Sequence, residues 1–310
     1  MASAIPQERL ADIVRVARAR TGVPAVAAGL LVGERVELAA DGPVEVETPF
    51  RIASITKWFT ASLTALCLDL DQSVARAWLS HTADLRPESS GPLPEACRGL
   101  WSYSNAGYWA VGDACAAATG TSFSDAMRER ILEPLHLGAT SFEEPSGAAP
   151  GHVQEGETGH RPAGPAEYPL SRRPSGGLWS TVGDLLRFAA HQLGRPGPLS
   201  DTQLRTLHEP HADALGARYC LGCWSRELAG GRLALDHEGS VGGYQSLLLL
   251  VPEERTALAV LTNSWRGNGL IRHVVAELGL VPAPDRSPEP NPWPPQPGSY
   301  ALDEIGRAHV

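Results

Sequence analysis

The chain has 310 residues, of which 43% are hydrophobic and 20% are charged, and its formal net charge is −9. This composition is that of an ordinary globular protein with one large domain or two. The negative charge argues against nucleic acid and against a membrane surface as partners, because both attract basic proteins. No run of 18 apolar residues occurs, so the sequence predicts no transmembrane helix.

The first 22 residues predict an amphipathic helix, whose apolar positions are Ile13, Val14, Val16 and Ala17. They lack the basic segment and the apolar core of a signal peptide, so we expect a cytoplasmic protein. The five cysteines agree with this location, since their number is odd and their spacing is not that of a disulfide framework. Cys220 and Cys223 have the C-x-x-C form, but no second pair or histidine cluster completes a zinc site. We interpret them as core cysteines rather than as metal or redox groups.

A β-hairpin is predicted next. An apolar run at 25–32 is followed by Gly33 and by alternation of polar and apolar residues at 34–39. After a loop at 41–49, residues 50–70 predict a helix with one buried face, because its apolar side chains follow three-and-four spacing: Ile55, Trp58, Phe59, Leu63, Leu66 and Leu70.

Ser54 and Lys57 lie three positions apart at the start of this helix and therefore on one face. Lys57 is the only lysine in the chain, whereas the other 25 basic side chains are arginine. Arginine keeps its charge, but a buried lysine can lose its proton and then accept one from a serine hydroxyl. The alternative is that Ser54 caps the helix and that Lys57 lies on the surface.

The middle of the chain, about 75 to 215, predicts helices and loops without a strand. Gly and Pro dominate 87–99, and helices are predicted over 106–119, from Ser122 or Ser124 to about 132, and over 183–193. Residues 143–177 are also rich in Gly and Pro and predict an extended loop that crosses a surface.

Strand-like segments return near residue 217. Short turns separate four of them, at 217–226, 232–236, 244–251 and 256–262, and this favours antiparallel pairing. A helix follows at about 269–278. We therefore predict an α+β fold in two parts, in which an antiparallel sheet from both chain ends is flanked by helices and a mostly helical domain is inserted.

Two further motifs carry chemistry. In Tyr103-Ser104-Asn105, a tyrosine can exchange a proton with a serine and a leaving group, and Asn105 offers a donor and an acceptor to a substrate amide. In His237-Glu238-Gly239-Ser240, small residues at the end of a strand let a substrate lie along its edge, where a backbone N–H can hold an oxyanion. The alternatives are a turn with a core tyrosine and a glycine-rich turn with an exposed histidine.

In this order, Ser-x-x-Lys, Tyr-x-Asn and His-x-Gly resemble the serine hydrolases of the beta-lactamase and penicillin-binding protein superfamily, in particular the class C beta-lactamase, DD-peptidase and esterase branch. Segments between the motifs are similar too: LSHTADL (79–85), GGLWSTVGDLLRF (176–188) and GGYQSLLLLVPEERTALAVLTN (242–263). The resemblance covers about 10–280 and implies a beta-lactamase/transpeptidase-like fold.

The resemblance implies a serine hydrolase domain at 1–280, with an α/β part at about 1–72 and 216–280 and a helical part at about 73–215. Residues 281–299 hold eight prolines and are expected to be a linker. Residues 300–310 are expected to be a truncated or artefactual tail, since EIGRAHV resembles a translated sequencing adapter.

The resemblance also implies an acyl-enzyme mechanism without metal or cofactor. Ser54 would attack a carbonyl while Lys57 and Tyr103 share its proton, and water would later release the acyl group. The backbone N–H groups of Ser54 and Ser240 would form the oxyanion hole. Substrate would be bound by Asn105, His237 and Gly239.

Several activities stay open under this resemblance. We favour an esterase or amidase that acts on small esters or D-amino-acid amides, because no signal peptide is seen and His237 stands where relatives often carry lysine, which makes a cation there pH-dependent. Beta-lactamase or DD-carboxypeptidase activity is the alternative. A non-hydrolytic penicillin-binding or sensor-like protein, or an inactive fragment, is the other, since the spacing from Lys57 to Leu79 is shorter than we expect. The partner would be a small ester, amide or lactam, and the oligomeric state is not predicted.

Overall fold

The computed structural model describes residues 9–71, 74–156, 159–164 and 168–283, and the backbone of 301–302 and 308–309. Most of the predicted linker and tail therefore lies outside the described residues. The helices in the described part are α1 (Arg9–Thr21), α2 (Thr56–Cys67), α3 (Ala75–Leu79), α4 (Asn105–Thr119), α5 (Phe123–Met127), α6 (Arg173–Gly176), α7 (Val182–Gln192), α8 (Asp201–His208) and α9 (Gly267–Glu277).

The strands in the same residues are β1 (Val26–Val32), β2 (Arg35–Asp41), β3 (Phe50–Arg51), β4 (His152–Glu155), β5 (Gly159–Pro162), β6 (Trp179–Ser180), β7 (Ala212–Ala214), β8 (Ala217–Tyr219), β9 (Trp224–Glu227), β10 (Leu233–Val241), β11 (Tyr244–Val251), β12 (Thr256–Thr262), β13 (Ala301–Leu302) and β14 (Ala308–His309). Short 3₁₀ turns lie at Ala53–Ile55, Glu95–Cys97, Leu170–Arg172 and Pro252–Glu254, and a π-helical turn covers Arg128–Leu132.

One sheet of eight strands organises the molecule, in the order β2-β1-β12-β11-β10-β9-β8-β7, and its neighbouring strands are antiparallel. Its first two strands come from the beginning of the chain and the other six from residues 212–262, with the helices α2 to α8 between them. The predicted α+β fold, with a sheet from both chain ends, is thus confirmed. The domain boundaries proposed from the sequence stay a prediction.

Helices cover both faces of this sheet. On one face α1 and α9 pack through Leu10, Val14, Leu270 and Val274. On the other face α2 and α7 form the larger core, in which the rings of Phe59 and Phe188 stack with centroids 3.8 Å apart. Burial of each such large apolar side chain contributes roughly 1.5–3 kcal/mol. Since both faces are covered, the central strands are apolar almost throughout, as β12 shows.

Several predicted boundaries were wrong. The region 75–215 does contain strands, since β4 pairs with β5, β6 pairs with β3, and β7 pairs with β8. The segment predicted as one strand at 217–226 is two strands joined by a turn, because Gly222 adopts φ +89° and packs against the carbonyl of Lys57. The end of the predicted surface loop is buried as α6. Within the described residues, no helix combines the length and the apolar character needed to cross a bilayer.

Candidate active site

Ser54 is presented by a strained turn. It lies in the 3₁₀ turn between β3 and α2, two residues before α2 begins, so the helix predicted over 50–70 starts later than expected. The preceding residue, Ala53, has φ +46°, a left-handed conformation that costs an alanine roughly 1–3 kcal/mol. Ile52 holds the turn in place, since its N–H donates to the Leu178 carbonyl (3.0 Å) and its carbonyl accepts from the Ser246 hydroxyl (3.0 Å).

Lys57 lies one residue inside α2 and its side chain is completely buried. Its Nζ donates to the carbonyl of Ser175 at 2.6 Å and to Oγ of Ser54 at 3.3 Å. Burial lowers the pKa of Lys57 to about 7, and the negative charge of Glu88 opposes this effect. Near neutral pH the amine is therefore present in both its charged and its neutral form, and the neutral form can accept the Ser54 proton.

The carbonyl that holds Lys57 is fixed by contacts between α2 and residues 173–180. Thr60 donates its hydroxyl proton to the Pro174 carbonyl (2.7 Å), and the Leu178 N–H donates to the Thr56 hydroxyl (3.2 Å). Sequence reasoning missed Ser175, because a main-chain carbonyl leaves no signal in the residue types.

Tyr103 and Asn105 are positioned by the residue between them. Ser104 caps α4, since its hydroxyl accepts from the Gly107 N–H (3.2 Å), and its own N–H donates to Nδ1 of the buried His81 (3.0 Å). The His81 ring lies 4.4 Å from the Tyr103 ring, and the Tyr103 ring centroid lies 4.9 Å from Nζ of Lys57.

His81 is a second residue whose role was missed. Burial, followed by the charge of Lys57, lowers its pKa well below 6.5, so its ring is neutral and its Nδ1 can accept. It belongs to the segment LSHTADL, which the sequence marked only as a similarity. A third missed residue is Glu88, which lies in the Gly- and Pro-rich loop 87–99 and accepts a hydrogen bond from the side-chain amide of Asn105.

The third motif lies in the C-terminal part of β10, at the end of a strand as predicted, and the strand continues five residues beyond its predicted end at Asp236. Its residues 237–241 pair with β11 on one side, whereas β9 reaches only as far as Asp236 on the other. Gly239 packs directly on the turn that presents the serine, because a Cβ there would lie 2.2 Å from the Ile52 carbonyl oxygen and 2.2 Å from Oγ of Ser246. A close approach of this kind requires glycine.

His237 is buried, so the alternative of an exposed histidine was wrong. Its Nδ1 lies 2.6 Å from the Glu238 carbonyl, which only accepts, so Nδ1 carries a proton and Nε2 faces the Tyr219 hydroxyl at 3.3 Å. Burial lowers the pKa of His237 to about 3, with the charge of Lys57 as the next cause. The imidazole is therefore neutral at physiological pH, and it does not supply the pH-dependent cation that we expected near neutrality.

These elements enclose one cleft of about 580 Å³. Among the predicted site residues it brings together Ser54, Tyr103, Asn105, His237, Gly239 and Ser240, while Lys57 lies behind Ser54. The cleft is also lined by Pro87, Glu88, Trp224, Glu238, Gln245 and Asn268. A hydroxyl beside an amine of lowered pKa, with a phenol at the same cleft, is an arrangement that can support nucleophilic acyl transfer.

The sequence is similar to that of known proteins over most of its length. The sequence model of the beta-lactamase family matches residues 10–275. Penicillin-binding protein 4 of Amycolatopsis lactamdurans is 29% identical over 224 residues, which is 64% of this chain and 59% of that protein, so the match spans less than two thirds of the relative's length.

Solved structures share the fold. A class C beta-lactamase from Rhodobacter sphaeroides superposes with a TM-score of 0.75 at 20% identity, covering 87% of this chain and 98% of the other. A D-stereospecific amidohydrolase from a Streptomyces species superposes with a TM-score of 0.74 at 20% identity, covering 86% of this chain and 98% of that chain.

Proposed function

The chain belongs to the beta-lactamase family, and we propose that it is a serine hydrolase that forms an acyl-enzyme on Ser54. The observation that carries this proposal is the contact between Lys57 Nζ and Ser54 Oγ at 3.3 Å, made by an amine whose pKa is lowered to about 7. A serine hydroxyl becomes an effective nucleophile when a neighbouring base accepts its proton.

In the proposed mechanism, neutral Lys57 accepts the Ser54 proton as Oγ attacks the substrate carbonyl. The oxyanion is held by the backbone N–H groups of Ser54 and Ser240, which line the same cleft. Tyr103, whose ring lies beside the Lys57 amine, passes the proton to the leaving group. Water then attacks the ester on Ser54 and releases the acyl group, and Asn105, His237 and Gly239 contact the substrate.

The proposed substrates are small esters or amides, including D-amino-acid amides. Hydrolysis of a beta-lactam or of a peptide with a terminal carboxylate is the alternative, and it calls for a group that neutralises that carboxylate. His237 is poorly suited to this role, because its pKa of about 3 leaves the imidazole neutral. We therefore favour esterase or amidase activity over beta-lactamase or DD-carboxypeptidase activity.

A second candidate is a protein that is acylated but releases the acyl group too slowly to turn over. It is favoured by the similarity to a relative named as a penicillin-binding protein. Such a protein would use the same Ser54 and Lys57 for acylation, so the two candidates differ only in the second half of the reaction.

The test is to incubate the protein with p-nitrophenyl acetate and, separately, with a fluorescent phosphonate. Continuous release of nitrophenol and labelling of Ser54 are expected, and a burst of one equivalent without turnover would support the second candidate. Ser54→Ala should abolish both signals. Ser146→Ala is the matched control, because Ser146 is an exposed serine outside the cleft. Labelling that survives in Ser54→Ala would overturn the proposal.

A further inference from the structure

The cleft has an acidic lining. Among the described residues that line it, the carboxylic acids are Glu88 and Glu238, and none is a lysine or an arginine. Burial and the charge of Asp236 raise the pKa of Glu238, so Glu88 is the main source of negative charge. Glu88 lies in the loop that precedes Tyr103, while Glu238 lies on β10, so the two carboxylates belong to different walls of the cleft. A charged substrate that enters between these walls meets the negative charge of Glu88 on one side and, among the described residues, no lysine or arginine on the other.

The wall formed by Glu88 and Asn105 presents hydrogen-bond acceptors. A carboxylate only accepts, so the contact between Asn105 Nδ2 and Glu88 Oε1 fixes the orientation of the Asn105 amide. The amide oxygen of Asn105 and the second oxygen of Glu88 are further acceptors on these two cleft-lining residues. An ammonium group carries three donors and no acceptor, and it fits such a wall. The charge of Glu88 also reaches Lys57, which places this carboxylate near the nucleophile.

In the part of the chain that the structure describes, the opposite wall of the cleft has no lysine or arginine in its lining that could bind a substrate carboxylate. His237 is engaged through Nδ1 with the Glu238 carbonyl and through Nε2 with Tyr219. Arg226 lies close to this wall, but its Nε binds both carboxylate oxygens of Asp236 at 3.0 and 3.2 Å, and its guanidinium lies over the Trp224 ring. Arg272, which is exposed on α9, is farther away, and its positive charge acts on the carboxyl group of Glu238.

On the basis of the proposed hydrolase function, we propose that this cleft selects acyl groups that carry an ammonium and rejects acyl groups that carry a carboxylate, with Glu88 as the specificity-determining residue. The substrate class is thus esters or amides of amino acids whose amine is free. Glu88 is exposed, so solvent screens its charge and the selectivity is moderate. Exposed charge pairs of this kind change a rate or an affinity by roughly 1.5- to 5-fold each.

The test uses three p-nitrophenyl esters with acyl chains of equal length and different terminal charge: 6-aminohexanoate, hexanoate and the monoester of adipate. For the wild-type protein at pH 8 and low salt, we expect kcat/KM for the ammonium ester to exceed that for the carboxylate ester about tenfold. The ratio should fall to about twofold at 0.5 M NaCl, because salt screens exposed charges.

Variants of Glu88 test whether this residue causes the difference in kcat/KM between the esters. Glu88→Gln keeps an oxygen that can accept from Asn105 but removes the charge, and should reduce the ratio to about threefold, whereas Glu88→Lys should bring it to one or below. The matched control is Glu253→Gln in the turn after β11. Gln245, near the start of β11, lines the cleft, whereas Glu253 follows the other end of that strand. At about 3.3 Å per residue, the two are roughly 25 Å apart along the chain. Removal of the Glu253 charge should therefore leave the ratio unchanged.

The outcomes separate the two proposals. Turnover of all three esters at equal rates would overturn the charge selectivity and leave the hydrolase function intact. A Glu88→Gln variant that slows all three esters by one factor would show that Glu88 acts only by positioning Asn105, and would also overturn it. Absence of acylation by all three esters would overturn the proposed function together with the selectivity that rests on it.

Discussion

The amine of Lys57 lies 3.3 Å from the hydroxyl of Ser54, and its side chain is completely removed from solvent. In the proposed mechanism the neutral amine is the base for Ser54, and burial makes this form available near neutral pH, since it lowers the pKa of Lys57 to about 7. In the proposed mechanism, the burial of Lys57 thus sets both the activation of Ser54 and the pH range in which acylation occurs.

The first prediction is the pH dependence of acylation. Below pH 7 Lys57 is protonated and cannot accept the Ser54 proton, so kcat/KM for a neutral ester should rise about tenfold per pH step from pH 5 to 6 and level off above about pH 8. kcat/KM reports the groups of the free protein, and a neutral ester contributes no titration of its own. A profile that is flat from pH 5 to 8, or that falls, would exclude Lys57 as the base.

The second prediction concerns the identity of the base. Lys57→Arg should lower acylation at least 100-fold, because arginine stays protonated at every accessible pH and general bases contribute roughly 10²–10⁴. Arginine is larger than the buried site, so Lys57→Met serves as a second variant that removes the base and fits the volume. Release of nitrophenol from p-nitrophenyl acetate measures acylation, phosphonate labelling reports the nucleophilicity of Ser54, and circular dichroism checks the fold. Retained labelling in a folded Lys57→Met variant would show that another group accepts the proton.

A third prediction links the site to stability. The pKa of Lys57 is about 7 in the folded protein and about 10.5 as its ordinary value. Between these values the unfolded chain binds a proton that the folded protein has lost, so the free energy of unfolding rises with pH. Below pH 7 both states are protonated, and the cost of burying the charge is fully present, on the order of 3–5 kcal/mol.

Lys57→Met lacks this titration. Relative to the wild type it should be most stable at pH 6, and its advantage should shrink by several kcal/mol up to pH 10, as measured by urea unfolding at pH 6, 8 and 10. The variant also leaves the Ser175 carbonyl without its partner, a constant loss of roughly 1–3 kcal/mol that does not vary with pH. A difference between the two proteins that stays constant with pH would contradict the lowered pKa.

The sequence predicted the fold well wherever one pattern determined it. Continuous apolar runs predicted the strands β1, β11 and β12, and helical periodicity predicted α2, α4 and α7. Strands that are apolar throughout need cover on both faces, which is the arrangement observed. Short strands such as β6 were missed, because two residues are too few to show an alternation. Likewise, α6 reads as a loop from its Gly and Pro, and only tertiary contacts with α2 make it a buried helix.

The site was predictable to the extent that it rests on side chains in motifs. Ser54 and Lys57 could be proposed because a single lysine stands out in a chain of arginines. The Ser175 carbonyl and the support from His81 could not, since the first is main chain and the second acts through the N–H of Ser104. The neutral state of His237 depends on burial that emerges only when β10 is packed.

The last prediction tests the contact that brings β10 against the serine. Gly239→Ala would place a Cβ 2.2 Å from the Ile52 carbonyl oxygen, and backbone at that position cannot yield without moving the turn that carries Ser54. We expect a loss of roughly 1–3 kcal/mol in the free energy of unfolding and at least a tenfold loss in acylation. The matched control is Gly138→Ala, where a Cβ meets nothing within 4 Å and φ is not positive. Urea unfolding and phosphonate labelling measure the two effects, and full acylation by a folded Gly239→Ala variant would mean that this edge of β10 does not help to position the nucleophile.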